Sequence, residues 1–113
     1  MINTHALGIK GEQLAVDYLK KKKYEILARN YTTKIGEIDI IAKLKNKIIF
    51  VEVKQRESLK YGYPREAITS YKINKIRRVA EFYLKRTKQM DLLVQFDCIE
   101  ILGEKITHIE NCF

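Results

Sequence analysis

GEIDIIAKLKNKIIFVEVK, residues 36–54, alternates apolar with other side chains as a half-buried strand pair does, yet sets Glu37, Asp39, Glu52 and Lys54 among its strongest strand formers. A hairpin turning at Lys45-Asn46, or through residues 44–47, places Asp39 opposite Glu52 and Glu37 opposite Lys54. Side chains alternate across a strand, so Glu37, Asp39, Ile41, Phe50, Glu52 and Lys54 share one face. Ile38, Ile40, Ala42, Ile49, Val51 and Val53 fall on the other, which is wholly apolar.

Like charges directly opposed across an antiparallel pair destabilise it, so Asp39 opposite Glu52 calls for a cation. Lys54 on the same face offsets part of the repulsion. A hard divalent metal such as Mg²⁺, which prefers carboxylate oxygens, would offset more. The other reading is an exposed sheet end whose charges point into water, although Ile41, Ile48 and Phe50 beside them argue against an open face. A three-residue loop would also spoil the opposition.

Glu12 falls among Ala15, Val16 and Leu19 on a helical wheel, away from the Lys-rich side. It is either a helix-edge glutamate that snorkels to solvent or a carboxylate directed at the core and in need of a partner. If its helix covers the face holding Asp39, it adds a third carboxylate there.

The rest of the chain builds a frame around this stretch. Residues 4–23 read as a helix, 24–32 as a strand leading to a turn at 33–36, then strands at 37–44 and 47–55. Past the polar loop QRESLKYGYP, Pro64 suits the start of a helical pattern that runs to about residue 88, with Ile76, Val79, Ala80, Tyr83 and Leu84 inward and Thr69 and Ser70 as a break in it. Residues 92–102 form a strand, 103–105 a turn, and ITHIENCF an edge strand. The order α-β-β-β-α-β-β, with a helix long enough for a parallel crossover, predicts a mixed sheet flanked by helices.

At 113 residues the chain reads as one domain, 1–113, able to bury roughly two-thirds of its unfolded surface without staples. Cys98 and Cys112 are too few for a disulfide framework and form no zinc pattern, which points to reduced thiols and a cytoplasmic setting. MINTHALGIKGEQ lacks the apolar run of a signal peptide, and no segment approaches the ~20 apolar residues of a membrane span. Twenty-two Lys plus Arg against fourteen Asp plus Glu give +8, a charge that draws polyanions toward the surface.

GEQLAVDYL, ILARNY, GEIDIIA, FVEVKQR and YGYPREAI, with the Lys-rich helix after them, resemble in sequence and spacing the small bacterial YraN family over nearly the whole chain. Glu12, Asp39 and Glu52-Val53-Lys54, on helix, strand and strand, resemble the PD-(D/E)XK nuclease superfamily in an order similar to that of archaeal Holliday-junction resolvases. The resemblance implies a restriction-endonuclease-like α/β fold. It implies a metal-dependent endonuclease hydrolysing phosphodiester bonds, branched DNA in repair or recombination being one substrate class. The alternative is a noncatalytic nucleic-acid-binding or adaptor domain that keeps the fold.

Carried onto this chain, the resemblance implies that Asp39 and Glu52 ligate Mg²⁺ or Mn²⁺, with the Val53 carbonyl as a further ligand and Glu12 joining directly or through water. Lys54 would hold the attacking water or stabilise charge on the phosphate. Gln55 stands where the YraN pattern leads one to expect Thr, and would order a water beside the ligands. Ile38 stands where the superfamily has Pro. Arg56, Lys72, Lys75 and Arg78 are the candidate nucleic-acid contacts, Lys72 lying one turn before Ile76 on the inward side, and Tyr61 and Tyr63 flank Gly62 in the loop. Asp97, in the middle of its strand, is a candidate buried partner for one of the bases in the second half of the chain. DNA is the expected partner, and a homodimer through the last strand is expected by analogy alone.

Overall fold

The computed structural model describes residues 4–56 and 69–113, with side chains in the first helix from Lys10 onward. Helix α1 (Thr4–Lys21) ends where Lys23 takes a φ of 72° and the Tyr24 N–H returns to the Leu19 carbonyl at 3.0 Å. Lys20 and Lys21 sit in its last turn, where the helix dipole favours cations. Strands β1 (Glu25–Thr32), β2 (Glu37–Leu44) and β3 (Lys47–Arg56) follow as a meander, then α2 (Ser70–Arg86), β4 (Leu93–Leu102) and β5 (Lys105–Ile109). The order is the one the hydrophobic periodicity predicts.

The five strands form one mixed sheet in chain order, β1-β2-β3-β4-β5. β3 and β4 run parallel across the α2 crossover, and the other neighbours are antiparallel. β5 lies at the sheet edge, as its sequence predicts, but ends at Ile109, so the last four residues of ITHIENCF leave the strand. The β2–β3 hairpin closes on Leu44 and Lys47 around Lys45, whose φ is 56°.

Two apolar layers hold the helices. Ala15, Val16 and Leu19 of α1 cluster with Ile40, Ala42, Ile49, Val51, Ile99 and Ile101. Ile76, Val79, Ala80, Tyr83 and Leu84 of α2 cluster with Ile38, Ile41, Ile48 and Phe50. Each of the Val, Leu, Ile and Phe side chains removed from water contributes about 1.5–3 kcal/mol before entropy, so these layers set where the helices lie. Phe50, Phe96 and Phe113 continue the second layer as a run of rings 5.4 and 5.5 Å apart.

Three expectations change. Ile38 and Ile40 were expected on one face, yet Ile38 packs under α2 and Ile40 under α1. Strict alternation therefore breaks at Asp39, between them. Thr69 is the N-cap of α2, its Oγ1 accepting from the Lys72 N–H at 3.2 Å, so the break in the helical pattern is a start; Pro64 and the loop tyrosines lie outside the described residues. Among the described residues Asp97 pairs not with a lysine or arginine but with His108 of β5, Nε2 to Oδ2 2.7 Å. The Gln95 amide and the Asn111 N–H donate to its other oxygen at 2.8 and 3.0 Å, and the far side of the His108 ring meets the Tyr18 hydroxyl at 3.1 Å. Among the described residues, no helix is long and apolar enough to cross a membrane.

Candidate functional site

The site lies at the open end of the β2–β3 hairpin. The two strands pair regularly from Leu44–Lys47 as far as Ile40–Val51, in the register expected from the sequence. Beyond that point Asp39 replaces the ladder with its side chain, Oδ2 accepting the Val53 N–H at 2.8 Å. This bond satisfies a backbone donor that the splayed strands leave open, and it fixes the carboxylate where the two apolar layers part.

Glu12, Glu37 and Asp39 converge there, one carboxylate oxygen from each lying within 4.8 Å of the others. Helix α1 supplies Glu12 because Ala15, Val16 and Leu19 seat it on the sheet, as the wheel predicts. Burial raises the Glu12 carboxyl above its usual range against a lowering hydrogen bond from Asn30, and the charges of Asp39 and Glu37 push it further up. Glu37 does not extend the ladder toward Lys54. Its carboxylate takes a 3.2 Å hydrogen bond from the Thr32 hydroxyl and joins the other two acids.

Glu52 shares a hydrogen bond with Asp39 and stands outside the three-carboxylate group. Burial, that bond and the Asp39 charge push its carboxyl up to about 9, while Lys54 and Lys72 pull in the opposite direction. The half-buried acid therefore keeps its proton near neutrality unless another cation arrives. Contact with Lys54, followed by partial burial, depresses the Lys72 ammonium, and Glu52 and Asp39 oppose this. Two lysines, one from β3 and one from α2, thus flank one glutamate.

A cleft of about 350 Å³ opens over Glu52, with Glu37 on the strand side and Thr69, Tyr71, Lys72 and Lys75 on the α2 side. Of the basic residues expected to contact nucleic acid, Lys72 and Lys75 border it. Arg78 borders a separate shallow depression with Glu81 and Phe82, and the Arg56 guanidinium bonds the Gln55 carbonyl at 3.2 Å. Gln55 packs against Gly11 of α1, and its buried Oε1 has no hydrogen-bond partner among the described residues. Val53 meets the site through its N–H.

Residues 11–101 match the profile of the uncharacterised protein family UPF0102. The chain belongs to that family. It is the YraN family that the sequence blocks resemble. A UPF0102 protein of Caldicellulosiruptor saccharolyticus is 52% identical over 100 residues, covering 88% of this chain and 85% of its own. One from Clostridioides difficile is 46% identical over 114 residues, covering 99% and 100%. One from Fusobacterium nucleatum is 44% identical over 110 residues, covering 97% and 92%.

In this UPF0102 chain the sequence reading overlooks Glu37 as a member of the acidic group, although its position two residues before Asp39 puts it on the same strand face. It also overlooks Asn30 and Tyr71. Asn30 has a φ of 50°, a backbone state Asn tolerates, and no local pattern marks it as the Glu12 partner.

Proposed function

We propose that this protein is a metal-dependent phosphodiesterase of the PD-(D/E)XK kind that acts on nucleic acid. The observation that carries the reading is the convergence of Glu12, Glu37 and Asp39 within 4.8 Å, with Glu52 hydrogen-bonded to Asp39 and flanked by two lysines. An all-oxygen donor set suits a hard cation such as Mg²⁺ or Mn²⁺ better than zinc or copper. The crowding that holds a proton on Glu52 is what a divalent cation would relieve.

In this reading Asp39, Glu12 and Glu37 would hold the cation, and Glu52 and the Val53 carbonyl would be further ligands. A bound Mg²⁺ or Mn²⁺ would supply Lewis acidity, lowering the pKa of a water and neutralising phosphate oxygens. Lys54 holds the attacking water or faces the charge that grows on the phosphate. Lys72 and Lys75 draw the polyanion to the α2 wall of the cleft.

Calorimetric titration of Mn²⁺ into the native protein and Glu52→Ala locates the cation, with binding expected in the first and greatly weakened in the second. Cleavage of linear, flapped and branched DNA and RNA with either metal tests the reaction. Cutting that survives in Asp39→Ala and Lys54→Ala would belong to a contaminant. The charges of Lys54 and Lys72 already beside Glu52 favour a second reading, a nucleic-acid-binding adaptor that keeps the fold without the chemistry. Salt-sensitive binding with no metal-dependent cleavage selects it.

A further inference from the structure

The α2 wall of the cleft carries a feature that hydrolysis alone does not need. Tyr71 is 68% exposed and belongs to neither apolar layer. It borders the same cleft as Glu52, Lys72 and Lys75. The Lys75 ammonium lies 4.6 Å from the ring centroid, which covers one side of the ring and restrains it, while most of its surface stays open.

Charge is divided across this cleft. The Glu37 carboxylate lines the strand side, and the Lys72 and Lys75 ammonium groups line the helix side. A phosphate is repelled by the first and held by the second, so a strand following α2 brings its phosphates to Lys72 and Lys75 and its base to Tyr71. In a continuous duplex each base face is covered by its neighbours, and only the edges are offered. An aromatic ring on a cleft rim can take a base face only from an unpaired or terminal nucleotide.

We infer that Tyr71, Lys72 and Lys75 form a stacking site for an unpaired nucleotide, so that the nucleic acid bound here is single-stranded or carries a single-stranded stretch or end. This rests on the nucleic-acid reading above and names its substrate class.

The test is equilibrium binding, by fluorescence anisotropy, of a labelled single-stranded oligonucleotide and a duplex of the same length. It is run in EDTA and again with Ca²⁺, with cleavage playing no part. The single strand is expected to bind more tightly than the duplex. Tyr71→Ala is expected to weaken single-strand binding by roughly 5- to 100-fold, with duplex binding unchanged, and Tyr71→Phe to restore it. A 2-aminopurine placed in the strand should be quenched by the native protein and by Tyr71→Phe, and not by Tyr71→Ala. Absence of single-strand binding, a duplex preference, or equal losses for both forms in Tyr71→Ala would overturn the inference. A protein that stacks single strands on Tyr71 and cuts nothing keeps this site and loses the hydrolytic reading. Metal-dependent cutting indifferent to Tyr71→Ala in binding and rate does the reverse.

Discussion

The Val53 N–H donates to Asp39 Oδ2 at 2.8 Å, across the point where β2 and β3 stop pairing. One carboxylate therefore both closes a backbone gap and anchors the acidic group. Asp39→Asn keeps an acceptor oxygen and should fold with near-native stability while losing most of its Mn²⁺ affinity. Asp39→Ala leaves the part-buried donor open and should cost about 1–2 kcal/mol, read by urea denaturation. Equal stability losses in both variants would show that the charge, and not the acceptor, holds the strands.

Glu52 makes stability depend on pH in the direction opposite to an ion-paired acid. Its carboxyl is raised from 4.5 to about 9, so the folded chain holds this proton more tightly than the unfolded one. The stabilisation is complete below the unfolded value and is lost as pH rises from about 4.5 through about 9. Thermal melts of the metal-free protein should therefore fall over that range, and Glu52→Gln should flatten this part of the profile. Excess Mg²⁺ or Mn²⁺ at the alkaline end should raise the native midpoint more than that of the variant. An unchanged slope in Glu52→Gln would assign the pH dependence elsewhere.

Asp97 is fully buried and holds His108, Gln95 and the Asn111 N–H together. Removing it strands those donors, and Asp97→Ala should cost about 3–5 kcal/mol, a large share of the ~5–15 kcal/mol typical of a domain. Chemical denaturation measures the loss. Since none of these partners belongs to the acidic group, the folded fraction should bind Mn²⁺ as the native protein does.

Gly11 brings α1 onto β3. A Cβ at that position would lie 2.3 Å from Gln55 Oε1 and 3.1 Å from its Cδ, so the side chain of Gln55 must move to admit even alanine. The clashing atom is the far end of a flexible side chain, so Gly11→Ala should stay within about 1 kcal/mol of native stability as helix propensity offsets the shift, while Gly11→Val should destabilise by about 1–3 kcal/mol. Gln55→Thr, which shortens the opposing side chain, should recover part of the valine loss. A double-mutant cycle in urea reads this coupling, expected at about 0.5–3 kcal/mol. Strict additivity would mean that the contact carries no energy.

Much of the framework was legible because it rests on local pattern. The inward positions of α2, Ile76, Val79, Ala80, Tyr83 and Leu84, follow from helical spacing and are all buried. The hairpin register follows from the turn at Lys45 and the alternation on either side of it. The parallel pairing of β3 with β4 follows from the length of the chain between them. Glu12 was legible only as one of two readings, since the helical wheel fixes its side of α1 but not which sheet face α1 covers; α1 lies on the layer of Ile40 and Val51, opposite Ile41 and Phe50.

What the pattern does not contain is where regularity fails. The sequence by itself determined the order of elements, the hairpin register, and the placing of Asp39, Glu52 and Lys54 near one sheet end, because these depend on periods of two and near four along the chain. Only the tertiary structure decided that alternation breaks at Asp39, that Glu37 turns to the acids and not to Lys54, that Asp97 pairs with His108, and that Tyr71 stands on the cleft rim. Each of these depends on contacts between residues far apart in the chain, whose geometry is set by how two helices settle on opposite layers of the sheet, and no local spacing encodes that.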